Sequence, residues 1–349
     1  MSVLSGVENA EVDPDLSALI ESLLGERAGA REEEPAGLEA ALWAELQEAG
    51  LAKLTGGGEF GSDASWLEAA ELLRSAARRA RRVPLAENDL LGGWLAEQAG
   101  LPDVENLRTS AIADAEGRAY GVPWARSAVS VVLLQPDGDA WYVREVPTAE
   151  MEIAPGENLA GEPRDAVRVG GDPSSGSRMD AHVLEEWKLR GALARAVQIS
   201  GALERAVEIA VRYSMERIQF GRPVGAFQAV QHLAATMASE AALVMAATDS
   251  AALTAATAED WTDPQVVFDI AVAKSCASTA ASVVTRGAHQ ILGAIGTTAE
   301  HELHRVTLPA IAWAGEFGSA DEWNRRILEL TASPARPAET WELITRTRG

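Results

Sequence analysis

The stretch over residues 212–232 constrains the fold most, because one helical pattern ends in it and another begins. Up to Val211, apolar residues recur at three- and four-residue spacing, which is typical of a helix with one buried face. Gly221, Pro223 and Gly225 then follow within five positions and indicate that this helix ends near Gly221. A second apolar pattern begins around Phe227. The sequence therefore predicts two helices that are joined by a tight turn.

Arg217 lies in the predicted last turn of the first helix. Its guanidinium group is a forked donor that suits a pyrophosphate, and the N-terminus of the second helix adds unpaired N–H groups and a positive dipole end. An ion pair with a neighbouring carboxylate is the alternative, because arginines near helix ends commonly have structural roles. The spacing by itself leaves both interpretations open.

Composition limits the partners. The chain has 349 residues, 47% of them hydrophobic, which suffices for a large core in two or three domains. Its net charge of -22 argues against nucleic acid and anionic membranes as partners, although local arginines can still bind a polyanionic ligand. We expect a cytoplasmic location. Cys276 is the single cysteine, no apolar run approaches the length of a membrane span, and the first residues lack a signal-peptide pattern.

The chain changes character twice along its length. Residues 1–102 have helical patterns, residues 103–176 have short β-rich runs, and helical patterns return over residues 177–349. Within the middle part, the runs at 129–134 and 140–146 are joined by a Pro-Asp-Gly-Asp turn, which predicts a β-hairpin. We therefore predict a mostly α protein of the α+β class with three domains at these boundaries.

Two phrases carry a family resemblance. The run R-x-x-F-G-R-P-V-G-A-F-Q-A-V-Q-H, which begins at Arg217, resembles the C-terminal-domain signature of acyl-CoA dehydrogenases, the flavoenzymes that desaturate acyl-CoA thioesters. The second phrase begins at Gln290 and resembles the Q-x-x-G-G motif of that family, with Ala294 in place of the second glycine. The resemblance is sharp over 203–232 and 287–305. It implies an N-terminal helical domain, a small central β-barrel domain and a C-terminal four-helix bundle.

The resemblance also implies FAD as the cofactor. In the family, both phrases reach the adenosine-diphosphate half of a FAD across a subunit interface. An amide can bind a ribose or phosphate, and a glycine allows close backbone approach. No metal site is expected, since His301 and His304 lack a third ligand. The residues that the resemblance assigns to FAD are Arg217, Gln219, Phe220, Gln228, Gln290 and Gly293.

The catalytic base of the family is not evident. The family reaction needs a carboxylate that removes the α-proton of the thioester, and members carry this glutamate at one of two places. Counting from the two motifs, these places fall on Gly191 and Phe317, and neither is acidic. Glu316, one residue away from the second place, is the one candidate.

The resemblance is therefore to one subunit of the heteromeric acyl-CoA dehydrogenases that act on sterol side chains in steroid degradation. Such a chain, in a heterotetramer, supplies FAD-binding residues while a homologous partner subunit supplies the catalytic glutamate. The implied substrate is an acyl-CoA, and electron-transfer flavoprotein or a similar protein is the implied acceptor. Two alternatives remain: a self-sufficient homo-oligomeric dehydrogenase that uses Glu316, and a degenerate non-redox scaffold of the same fold.

Overall fold

A computed structural model describes residues 12–25, 37–332 and 337–345. The described residues form two compact units, one within residues 1–17, 70–80 and 192–349, and the other within residues 18–69 and 81–191. The helices at Trp66–Arg78 and Ala181–Glu216 contribute residues to both units. The division into three domains at 102 and 176 stays a prediction. The structure changes from helices to strands between Gln98 and Arg108, and helices return at Ala181, after a last short strand at Ser177–Met179 that lies beyond the predicted boundary.

The N-terminal part is helical, as predicted. Apolar residues at helical spacing, such as Leu42 and Leu46, are buried there, because they lie together on one face of the helix. A π-helical segment, Ala86–Gly93, leads directly into the fourth helix. The helices are α1 (Pro14–Leu24), α2 (Ala40–Glu48), α3 (Trp66–Arg78) and α4 (Trp94–Gln98).

Seven strands follow and form two sheets. The strands are β1 (Arg108–Ile112), β2 (Arg118–Pro123), β3 (Ser130–Asp137), β4 (Ala140–Pro147), β5 (Glu152–Ala154), β6 (Arg164–Arg168) and β7 (Ser177–Met179). One sheet has the order β1-β3-β4-β7, with β1 parallel to β3, and the other is the antiparallel sheet β2-β6-β5. The predicted hairpin is confirmed: Asp137 pairs with Ala140, and Gly138 has a positive φ of 58° in the turn. Alternate residues of both sheets, including Val131 and Val167, share one apolar core.

Six helices contain most of the described residues after 180. They are α5 (Ala181–Glu216), α6 (Gln228–Ala256), α7 (Pro264–Leu292), α8 (His304–Gly315), α9 (Ala320–Thr331) and α10 (Pro337–Thr345). The first three have 36, 29 and 29 residues and are the long helices of the predicted bundle. The predicted start of α7 is confirmed, since Asp263 accepts a hydrogen bond of 2.8 Å from the Gln265 N–H and Pro264 is the first helical residue. The mostly α fold of the α+β class is thus confirmed.

Helices α6 and α7 form an antiparallel pair that is connected by residues 257–263. Gly287 of α7 packs against Met237 of α6 so closely that a Cβ atom at this glycine would lie 2.6 Å from the methionine sulfur. Met237 is nine residues after the start of α6, or roughly 14 Å along the helix, and Gly287 is five residues before the end of α7, or roughly 8 Å. The start of α6 and the end of α7 therefore lie at the same end of the pair.

One sequence-based expectation needs correction. Among the described residues, the segment Pro264–Thr297 is long and apolar enough to cross a membrane by length and composition, since an 18-residue window within it has a mean hydropathy of 1.4. The expectation that no run approaches this length was wrong, because the valines, isoleucines and alanines of α7 raise its hydropathy. In the fold, 67% of that window is buried, and a core helix meets the same criterion.

Candidate functional site

The junction between α5 and α6 is a small β-hairpin. Helix α5 ends at Glu216, so Arg217 lies just beyond the helix and not in its last turn, although its N–H still bonds to the Tyr213 carbonyl at 2.9 Å. The next residues pair as strands β8 (Ile218–Gln219) and β9 (Arg222–Pro223). Phe220 and Gly221 form the turn with positive φ angles of 52° and 78°, the geometry of a tight hairpin turn. A hydrogen bond of 2.8 Å from the Val224 N–H to the Arg217 carbonyl closes the hairpin.

The side chains of this hairpin face solvent. Phe220 is 90% exposed, although burying a phenylalanine is strongly favourable. Arg217 and Gln219 are exposed as well. Arg217 forms no ion pair with any residue in the described ranges 12–25, 37–332 and 337–345. The alternative of an internal ion pair for Arg217 therefore finds no support, and its guanidinium group is available to a ligand.

The start of α6 adds further donors beside the hairpin. Phe227 precedes the helix in an extended conformation and provides no side-chain cap for the first-turn N–H groups. Its ring lies 4.1 Å from the Arg222 guanidinium and edge-on to Phe220 at 6.1 Å, so this second arginine is already engaged. Gln228, the first residue of α6, is exposed. A free guanidinium and an uncapped helix N-terminus are the groups that bind phosphate in proteins.

The second motif lies at the end of α7. Gln290 is exposed in the last turn, and Gly293 follows with φ 65° and ψ -139°, a backbone conformation that essentially only glycine adopts. His289, the neighbour of Gln290, contacts the Thr307 hydroxyl through Nε2 at 3.2 Å, and burial lowers its pKa. Because the end of α7 and the start of α6 lie at one end of the helix pair, all six residues that the resemblance assigns to FAD are exposed in that region. Their contact with FAD stays a prediction.

Glu316, the candidate base, is engaged within the protein. Its Oε2 atom accepts a hydrogen bond of 2.7 Å from Nε of Arg195, a residue that is only 1% exposed. The same arginine donates to the Gln198 side chain at 2.6 Å. Lys274 is fully buried beside this pair, and burial lowers its pKa to about 7. A carboxylate in such an ion pair is poorly suited to accept a proton from a ligand.

The sequence patterns missed Arg195 and Lys274. Each cation lies in the apolar stripe of a long helix, where a charge without a partner would be strongly destabilising. A cation within an apolar stripe was the sequence signal that could have identified both residues as partners of buried acceptors. In the part of the chain that the structure describes, no group of three or more His, Cys, Asp or Glu side chains could hold a metal ion.

The amino-acid sequence matches a known domain. Residues 189–321 match the family model for the acyl-CoA dehydrogenase C-terminal domain. Acyl-CoA dehydrogenase FadE34 of Mycobacterium tuberculosis is 38% identical over 129 residues, which are 37% of this chain and 18% of the relative. Glutaryl-CoA dehydrogenase of Desulfococcus multivorans is 31% identical over 179 residues, 50% of this chain and 41% of the relative. The matched segments thus span less than half the length of these relatives.

Solved structures share the fold over most of the chain. A chain of the ChsE4-ChsE5 complex from Mycobacterium tuberculosis is 21% identical, with a TM-score of 0.77 over 92% of this chain and 97% of that one. A chain of the Tcur3481-Tcur3483 steroid ACAD is 22% identical, with a TM-score of 0.79 over 92% and 98%. The chain therefore carries an acyl-CoA dehydrogenase C-terminal domain at residues 189–321 and has the acyl-CoA dehydrogenase fold.

Proposed function

We propose that this chain is one subunit of an FAD-dependent acyl-CoA dehydrogenase. It supplies FAD-binding residues, and a homologous partner subunit supplies the glutamate that removes the α-proton of the acyl-CoA. The complex is a cytoplasmic heterotetramer that passes electrons to electron-transfer flavoprotein or a similar acceptor, and binds neither nucleic acid nor membrane. The observation that carries the proposal is the exposed cluster of the six predicted residues, in which Arg217 has no ion pair within the described part of the chain.

The residues present fit FAD. The Arg217 guanidinium group and the uncapped N-terminus of α6 provide positive potential for a diphosphate, although the net charge of the chain is -22. The amides of Gln228 and Gln290 can hydrogen-bond to ribose or phosphate oxygens. Gly293 has no side chain that would hold a ligand away from the backbone. When bound, FAD would supply the redox chemistry of the desaturation.

The engagement of Glu316 favours a base from a partner subunit. A general base must be within reach of the proton that it removes and must be able to accept it. The Glu316 carboxylate is bound to the buried Arg195 guanidinium, which argues against the homo-oligomeric alternative. The fold is similar to that of a chain from the ChsE4-ChsE5 complex and of a chain from the Tcur3481-Tcur3483 steroid ACAD, which supports a heteromeric assembly and a steroid-derived acyl-CoA.

Purification of the native complex tests the proposal. We expect a yellow complex that contains a homologous subunit with a glutamate at a family position, and that reduces a dye when an acyl-CoA is added. The chain produced alone should show no such activity. Dye reduction by the chain alone would instead establish the homo-oligomeric alternative, and absence of flavin from both preparations would establish the scaffold.

The variant Glu316→Gln separates the first two outcomes. In complex that circular dichroism shows to be folded, it should keep acyl-CoA-driven dye reduction within about tenfold of wild type, because the base lies in the partner. Removal of a true general base would lower the rate by roughly 10²–10⁴-fold.

A further inference from the structure

The turn between α8 and α9, residues 315–318, has an unfavourable backbone. Phe317 has φ 55° and Gly318 has φ 105°. A phenylalanine rarely adopts this left-handed conformation, and such residues persist only where the surrounding structure fixes them. Contacts from outside the turn must therefore hold it in this conformation.

Buried side chains from three helices donate hydrogen bonds to the turn and to the residues beside it. Lys274 of α7 donates from Nζ to the carbonyls of Ala314 at 2.8 Å and Gly318 at 3.1 Å. Trp323 of α9 donates from Nε1 to the Phe317 carbonyl at 3.0 Å. Arg195 of α5 binds the Glu316 carboxylate, as described above. Each donor comes from a different helix, so the turn is fixed relative to α5, α7 and α9 together.

The charges of this cluster also depend on each other. Arg195 and Lys274 are 1% and 0% exposed, and two buried cations are unfavourable without an anion. Glu316 and Glu322 are the carboxylates whose charge acts on Lys274, and Glu316 acts more strongly. Glu322 already accepts hydrogen bonds from the Ser319 N–H and hydroxyl at the start of α9. Glu316 is therefore the ion-pair partner of Arg195 and the carboxylate whose charge acts most strongly on Lys274.

We propose that Arg195 and Lys274 are positioning residues, which form a clamp that holds the 315–318 turn in its unfavourable conformation and uses Glu316 as an internal counter-ion. In the folded chain, the Glu316 carboxylate has a structural role and is not available to a ligand. This inference concerns the chain by itself and needs neither flavin nor a partner. Its failure would remove the argument against the homo-oligomeric alternative, and it would leave the FAD-binding part of the proposed function standing.

Chemical labelling of carboxylates in the full wild-type chain tests the clamp without any substitution. The probe is a water-soluble carbodiimide with glycinamide, followed by peptide mass spectrometry. We expect Glu316 to react at least tenfold more slowly than Glu329, which lies in the same unit with a side chain that is 59% exposed. Equal labelling of the two glutamates would overturn the proposal.

A double-mutant cycle measures the coupling. Arg195→Met should lower the folding equilibrium constant by about a hundredfold or more, because it leaves a carboxylate without its cation. Adding Glu316→Gln should restore at least tenfold of this loss. The matched control is the more exposed pair Arg78 and Glu208, with side chains 36% and 35% exposed, where the same substitutions should couple by less than about fivefold. Additive effects at Arg195 and Glu316 would overturn the clamp.

If Arg195→Met does not fold, Arg195→Lys replaces it, because lysine keeps the charge and loses the forked donor. The readout is then the near-ultraviolet circular dichroism of the tryptophans. We expect a changed signal from Trp313 and Trp323, since the first lies 6.0 Å from the Arg195 guanidinium and the second binds the turn. An unchanged spectrum would contradict the positioning role.

Discussion

Asp89 should make the stability of this protein fall as the pH rises. It lies in the π-helical segment Ala86–Gly93, is 6% exposed, and accepts hydrogen bonds of 3.0 Å from both the N–H and the hydroxyl of Thr55. Burial raises its pKa from 3.8 to about 6, although these hydrogen bonds and the charge of Arg190 act in the opposite direction. The folded state therefore keeps this proton over a pH range in which the unfolded state has lost it.

The sign and the magnitude follow from linkage. The stabilisation from proton binding is fully present below the unfolded pKa and is lost as the pH rises through the folded pKa. A difference of about 2.2 pKa units corresponds to about 3 kcal/mol in total, of which about 2 kcal/mol falls between pH 4.5 and pH 7.5. Asp89→Asn has no such proton. Relative to wild type, its free energy of unfolding should therefore increase by about 2 kcal/mol over this range.

Urea unfolding at several pH values measures this difference. Asparagine offers one acceptor oxygen where aspartate offers two, so the variant carries a pH-independent penalty of about 1 kcal/mol, and only the slope is diagnostic. Asp114→Asn is the control, because the backbone hydrogen bond from Arg118, with smaller contributions from its side chain, lowers the pKa of Asp114. The proton equilibrium of Asp114 therefore changes only at and below its ordinary pKa of 3.8, and the difference between Asp114→Asn and wild type should stay nearly constant between pH 4.5 and pH 7.5. A difference between Asp89→Asn and wild type that does not change with pH would refute the reasoning.

Two further predictions concern packing within each unit. Gly201→Ala should lower the free energy of unfolding by about 3 kcal/mol, because the new Cβ would lie 2.2 Å from the Arg74 carbonyl oxygen. The control is Gly315→Ala, which should change the free energy of unfolding little, because nothing lies within 4 Å of the new Cβ. Trp187→Phe should lower the free energy of unfolding by about 1–3 kcal/mol, because the buried hydrogen bond of 2.9 Å from Nε1 to the Ser110 hydroxyl is lost. Urea unfolding measures all three variants.

The long helices could be predicted because their signals are local. The apolar period and the Asp263-Pro264 start are contained in a few consecutive residues, and the structure confirms both for α7. The hairpin after Arg217 could not be predicted in the same way. Strands of two residues are too short for a periodic pattern, and Phe220 takes a conformation that sequence statistics assign to glycine or asparagine.

The buried charge cluster escaped prediction for a different reason. Arg195 and Glu316 are 121 positions apart, and nothing in the neighbourhood of either residue identifies the other as its partner. Lys274 binds carbonyls about 40 positions away, and backbone carbonyls have no sequence signature at all. Long-range partners of buried charges depend on the packing of whole helices, which the sequence pattern does not specify.

The FAD content of the purified native complex tests the central claim most directly. In Arg217→Ala, loss of a charge-assisted contact to the diphosphate should weaken FAD binding by roughly ten- to a hundredfold, while the melting temperature of the flavin-free protein should stay unchanged. Arg212→Ala, which removes another exposed arginine at the end of α5, should retain FAD at the wild-type level. The account predicts flavin loss in the first variant only. Full FAD occupancy in Arg217→Ala, or wild-type complex without flavin, would contradict it.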